Sequence, residues 1–230
     1  MTVVLLIRHG RTAANVSGVL AGWSPGVDLD DKGREQVQSL AERLASLPVA
    51  AVVSSPLDRC RQTAEALLVD RDEVPLHNDD RLGEVRYGDW TGQPLKQLAK
   101  LPLWKTVQSH PSGVVFPGDG GESMAAMQSR AVSAVREWNE RLGTDAVYAV
   151  VSHADVIKGI LADALGQHLD QFQRIMVDPA SLSVVQYGDN RPFVERINDT
   201  GGSVAGLQPP KRRRSRKKSD DAVVGGGAGA

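Results

Sequence analysis

Apolar residues run along this chain in short unbroken blocks, separated by stretches where they recur every three or four positions. Thr2–Ile7 (TVVLLI), Ala50–Ser55 (AAVVSS) and Ala146–Ser152 (AVYAVVS) are the blocks. A continuous apolar run of that length is what a strand buried on both faces requires. In Asp31–Leu47, by contrast, Val37, Leu40, Ala41, Leu44 and Leu47 fall at helical spacing, and Pro48 closes the segment. The same periodicity predicts helices over Asp58–Val69 and over Asp155–Leu165, which ends at Gly166. A longer one spans Glu122–Leu142, with Met124, Met127, Ala131, Val135 and Trp138 on one face. Val74–His77 reads as a further strand. Ser181–Tyr187 and Pro192–Ile197 alternate polar with apolar, and residues 188–191 (GDNR) between them have hairpin chemistry. Strands alternating with helices predict an α/β fold, a mostly parallel central sheet with helices on both faces.

Two stretches break the pattern. Residues 93–120 carry Pro94, Pro102, Pro111 and Pro117 and read as an excursion over the sheet edge, a lid-like insertion holding one short helix, Leu95–Leu101, stopped by Pro102. Its apolar residues, Leu98, Leu101, Trp104 and Phe116, together with Trp90 just before it, either pack it onto the body or line the organic end of a substrate; packing is the commoner role. Lys96 and Lys100 are spaced to share a helix face. Residues 206–230 lose their apolar content and read as a basic, glycine-rich disordered tail without a part in catalysis, after a single domain over 1–205.

Charge sharpens that division. The chain of 230 residues has a formal net charge of −1, yet residues 211–218 (KRRRSRKK) hold seven of its 27 Lys and Arg. The preceding 210 residues are therefore acidic. Such a body is not the footprint of a nucleic-acid-binding fold, so nucleic acid is not an expected partner. The basic run is a solvated arm first, a nucleic-acid or anionic-membrane contact second. One cysteine excludes an internal disulfide framework, and no run of 18 apolar residues suggests a membrane span; a cytoplasmic protein is expected. His77, His110 and His168 have no paired spacing with Cys60, so neither a metal nor another cofactor is expected.

The candidate chemistry sits at the carboxyl ends of the apolar blocks. Arg8-His9-Gly10 follows the first, Ser54-Ser55-Pro56 with Arg59 the second, and Ser152-His153 the third. In an open α/β sheet, ligands bind in the crevice outside those strand ends. Two His and two Arg would meet there. Arginine forks suit phosphate oxygens, and a neutral imidazole is a nucleophile at physiological pH.

Five blocks, LLIRHGRTAAN (5–15), SSPLDRCRQTAEAL (54–67), LGEVRYGDWTG (82–92), GGES (120–123) and VVSHADVIK (150–158), resemble in order those of the histidine phosphatases, the phosphoglycerate mutase-like superfamily. The resemblance covers about residues 1–200. It implies a phosphoglycerate mutase-like fold and a phosphomonoesterase of the histidine acid phosphatase type. In that reading His9 takes the phosphoryl group, and Arg8, Arg59 and His153 cage the phosphate. Asn15 and Ala154 lie beside it, and Glu84 protonates the leaving alcohol. The chain departs from the usual pattern at Arg11, Ala21 and Ala154, where an acid, a threonine and a glycine are common. The substrate implied is a small phosphorylated metabolite. A bisphosphoglycerate-dependent mutase is the alternative, weakened because residues 93–120 contain no arginine. An inactive binding-only member is the reading of another class. A homodimer is an open expectation.

Overall fold

The computed structural model describes residues 1–202 and 224–227. In chain order the elements are β1 (Thr2–Arg8), α1 (Ala13–Ser17), α2 (Asp31–Leu44), β2 (Ala51–Ser54), α3 (Asp58–Leu67) and β3 (Leu76–Asn78). There follow α4 (Leu95–Leu98), α5 (Pro102–Ser109), α6 (Met124–Leu142), β4 (Val147–Ser152), α7 (Ala154–Ala164), β5 (Leu182–Tyr187) and β6 (Pro192–Asp199). The six strands form one sheet in the order β3-β2-β4-β1-β5-β6. The first four run parallel, while β5 is antiparallel to both β1 and β6. This is the α/β arrangement that the apolar blocks predict.

Alternate residues of each central strand face opposite layers. Leu6, Val53 and Val150 pack with Met127, Val135, Ile157 and Ile160 of α6 and α7. Leu5, Ile7, Val52 and Val151 pack with Leu40 of α2 and Cys60, Ala64 and Leu67 of α3. Each buried Leu, Ile or Val contributes roughly 1.5–3 kcal/mol relative to exposure. That is why strands apolar on both faces are stable only between two helical layers.

The insertion departs from its expected form. Pro102 begins α5 instead of merely ending a helix before it; proline is suited to N1, where no amide partner is lost. Trp90 and Trp104 stack with centroids 6.3 Å apart, and Trp90 and Tyr87 both meet Phe116 edge-on. All four rings are buried and belong to the α6–α7 side of the core. Leu101, in contrast, is exposed, as are Lys96 and Lys100. The helix α1 was not legible as a separate element, and α2 stops three residues before the expected Leu47.

The basic run 211–218 lies outside the described residues, as do all but four residues of the expected tail. Those four, 224–227, differ from a free tail: Val224 is 1% exposed and joins the same core as Leu20, Leu82 and Tyr87. Among the described residues no helix is long and apolar enough to cross a membrane.

Candidate active site

β1 and β4 end side by side. Arg8 is in register with Ser152, the His9 amide donates to Ser152 O at 3.0 Å, and the Ser55 amide donates to Val151 O at 2.9 Å. The sheet ladder thus brings the three polar clusters into one crevice. Gly10 lets the chain leave β1 beneath α2, since a Cβ there would lie 2.7 Å from both Gly33 O and Val37 Cγ2.

His9 is 2% exposed. Its Nδ1 lies 2.7 Å from Gly10 O. A carbonyl only accepts, so Nδ1 carries the proton and Nε2 keeps its lone pair. Burial, with Arg59 and Arg8 close by, holds the imidazole well below its ordinary pKa and therefore neutral. His153 lies edge-on to it, centroids 5.3 Å apart. The Nδ1 of His153 accepts from Arg59 Nη2 at 3.2 Å, which leaves Nε2–H to donate to Ser55 Oγ at 2.8 Å. It too is held neutral, by burial first and Arg59 second.

Arg8 and Arg59 are both buried. Arg8 Nη1 donates to Val177 O at 2.8 Å and Arg59 Nη2 to Gly22 O at 2.9 Å, which fixes both side chains. Among the described residues, Arg8 Nε and Arg59 Nη1 are buried and have no hydrogen-bond partner. Burial lowers the Arg8 pKa to about 10, so it remains a cation at neutral pH. Two guanidinium groups thus present unmatched N–H donors beside a neutral imidazole.

Glu84 lies 3.7 Å from His153 Nδ1 (Oε2) and is 3% exposed. Burial, reinforced by Asp155, pushes its carboxyl up to about 7. Its main chain is clamped: Trp23 Nε1 and Arg130 Nη2 both donate to Glu84 O, at 2.6 and 3.0 Å. Arg130 also holds Arg81 O and Gly83 O, and pairs with Glu122 at 2.6 Å. Glu122 in turn accepts from the Arg86 amide at 2.8 Å. Neither Trp23 nor Arg130 is discernible as part of the site from the sequence, because eight residues separate Glu122 from Arg130 and the loop they hold lies elsewhere in the chain.

The remaining expected residues divide. Asn15 lines the pocket, but its Oδ1 accepts from the Thr12 amide and hydroxyl, closing a capping box on α1. Ala154 is buried at the first position of α7. Asp155, next to it, was not among the expected site residues; it accepts from Tyr87 Oη at 3.1 Å and lies 3.4 Å from Lys158 Nζ. Cys60 Sγ is 3.4 Å from His153 Nε2, yet burial raises its thiol to about 12, which leaves it inert as a nucleophile. The cavity in front of His9 is bounded by Thr12, Asn15, Leu20, Arg59, Glu84 and the Val224–Gly226 segment, and holds about 30 Å³.

The profile of the histidine phosphatase superfamily (branch 1) matches residues 4–200. The chain belongs to that superfamily. Within it, phosphoserine phosphatase 1 of Hydrogenobacter thermophilus is 28% identical over 202 residues, 87% of this chain and 93% of that protein. A glucosyl-3-phosphoglycerate phosphatase of Mycolicibacterium vanbaalenii is 32% identical over 181 residues, 74% and 76% of the two chains. Among solved structures, Bacillus stearothermophilus YhfR superposes with a TM-score of 0.79 at 27% identity, covering 86% of this chain and 98% of that one. As a histidine phosphatase the chain is a phosphatase, and the mutase alternative is not favoured.

Proposed function

We propose that this histidine phosphatase hydrolyses small phosphate monoesters through a phosphohistidine at His9. The observation that carries the reading is the neutral His9 imidazole set between two buried arginines whose Arg8 Nε and Arg59 Nη1 donors are unmatched. A phosphoryl group supplies the acceptors those donors lack, and its equatorial oxygens gain the charge in transfer.

In the first step His9 Nε2 attacks phosphorus and the P–O ester bond breaks. The departing alkoxide takes the Glu84 proton. Nδ1–H, bonded to Gly10 O, stays on the ring throughout, so the imidazole keeps its orientation. In the second step the Glu84 carboxylate removes a proton from water, whose oxygen attacks phosphorus as the P–N bond breaks. Inorganic phosphate leaves and neutral His9 is restored. A carboxyl poised near 7 suits both duties. His153 orients Arg59 and completes the cage. Asn15 and Ala154 shape its rim. With Lys96 and Lys100 exposed and no arginine in residues 93–120, nothing there retains a second phosphate, so water is the acceptor.

The deciding experiment is alkaline quenching of turnover with 32P-labelled ester, followed by peptide mapping. Phosphohistidine survives alkali and is lost in acid. Label is expected on His9 in the native chain and at a slower rate in His153→Ala, with none in His9→Ala. Stable label on His153, or full activity in His9→Ala, overturns the mechanism.

A further inference from the structure

The Val224–Gly226 segment lies in the catalytic crevice, against residues distant from it in sequence. The Gly225 amide donates to Asp155 Oδ2 at 2.8 Å, and Gly225 O accepts from Arg8 Nη2 at 3.4 Å. Val224 is buried among core residues. Both glycines have φ of +73°, a conformation that side chains rarely adopt. A Cβ on Gly226 would stand 2.5 Å from Ala154 Cβ and 2.8 Å from Arg8 Cζ; one on Gly225 would stand 3.0 Å from Leu20 Cδ1. The contact is therefore matched in three ways: an acceptor for the amide, a donor for the carbonyl, and a surface that only glycine can approach.

We propose that the active site contains a binding site for this chain's own Val-Gly-Gly sequence, built from Asp155, Arg8, Ala154 and Leu20, and that a phosphate ester must displace the segment to react. The proposal rests on the phosphatase reading only for its consequence, not for the docking itself. About 30 Å³ is left in front of His9, on the order of one or two waters, which is too little for the organic part of an ester. The same Arg8 guanidinium that offers its Nε to phosphate is held through Nη2 by the segment. Occupation in cis by closing constant K raises the apparent KM by the factor 1 + K and leaves kcat alone, because a saturating ester displaces the segment.

Ala154 acquires a reason. Its methyl forms part of the floor on which Gly226 sits, so a larger residue at 226 meets both it and Arg8.

The test uses the full chain, native and Gly226→Val, with two readouts. The first is KM and kcat for p-nitrophenyl phosphate; in Gly226→Val, KM is expected to fall by at least about threefold with kcat within about twofold. The synthetic peptide DAVVGGGAGA should then inhibit the variant competitively. The second readout is hydrogen exchange of the 224–227 amides, which does not depend on turnover. Protection is expected in the native chain and loss of it in Gly226→Val and on saturation with orthovanadate. Free-peptide exchange in the native chain overturns the docking. Protection that persists under saturating vanadate, or an unchanged KM in a variant whose segment exchanges freely, overturns the competition. Absence of any ester hydrolysis with intact, vanadate-sensitive protection would instead overturn the phosphatase mechanism and leave the docking standing.

Discussion

Glu84 is asked to be a proton donor in one step and a base in the next, and its surroundings decide how well it does both. Glu84→Gln keeps the shape and removes the proton. Its kcat/KM on an alkyl phosphate should fall by roughly 10²–10⁴-fold, and less on an aryl phosphate, whose leaving group needs little protonation. Equal losses on the two esters would remove Glu84 from the acid role. The pH dependence has a definite sign. His9 is held well below its usual pKa and is already neutral through the mildly acidic range, whereas Glu84 loses its proton near 7. On alkyl esters kcat/KM should therefore decline as pH rises through about 7, and that limb should vanish in Glu84→Gln. Stability carries the same signature. A carboxyl whose folded pKa lies above the unfolded 4.5 stabilises fully below 4.5 and loses that contribution as pH climbs through 7. Thermal melts should accordingly show Glu84→Gln gaining on the native chain at pH 8 relative to pH 4; a difference that is constant across that range would contradict the burial of the charge. At this scale the sequence places His9 and His153 directly after apolar blocks and Arg59 in the helix that follows another, and the structure brings the three into one crevice. The sequence is silent on Asp155 and Trp23, because their importance lies in what faces them: Gly225 and Tyr87 for one, the Glu84 carbonyl for the other.

Elements were legible in proportion to how much of their stability is apolar and local. β1, β2 and β4 are apolar on both faces and stand where the blocks stood. α6 announced itself through Met124, Met127, Ala131, Val135 and Trp138, all buried. It begins at Met124, two residues after the expected Glu122, because Ser123 caps it by accepting from the Ala126 amide at 3.0 Å. Ser123→Ala should cost about 1 kcal/mol, read as a lower denaturant midpoint with an unchanged slope. A null effect would mean that packing alone fixes the helix end. α1 leaves no apolar signature because it is five residues long and has no buried position; it rests on the Thr12–Asn15 box, a pattern too short to distinguish from a turn. Pro102 is ambiguous in sequence for a related reason. Proline both follows and begins helices, and only the burial of Trp104 and Val107 beyond it says which.

For the whole molecule, the insertion is a structural part of the body and its aromatic cluster is the seam. Trp104→Ala removes a ring stacked on Trp90 within the main core and should destabilise by roughly 3–5 kcal/mol. Activity per folded molecule should remain within about twofold, since Trp104 is absent from the pocket wall. A large loss of kcat at full folding would instead make the insertion a moving lid. The register of β1 against β4, Arg8 opposite Ser152, ties the nucleophile to its partner imidazole through the main chain itself. Apart from His9, Arg59 and Glu84, the wall of the pocket outside the displaceable segment is drawn from residues 12–22 and Leu95, none of which belongs to a strand. Chemistry and taste are therefore separately heritable in this scaffold. Loop exchange among kindred enzymes can re-aim the choice of ester while the ladder of amides keeps the reacting atoms in place.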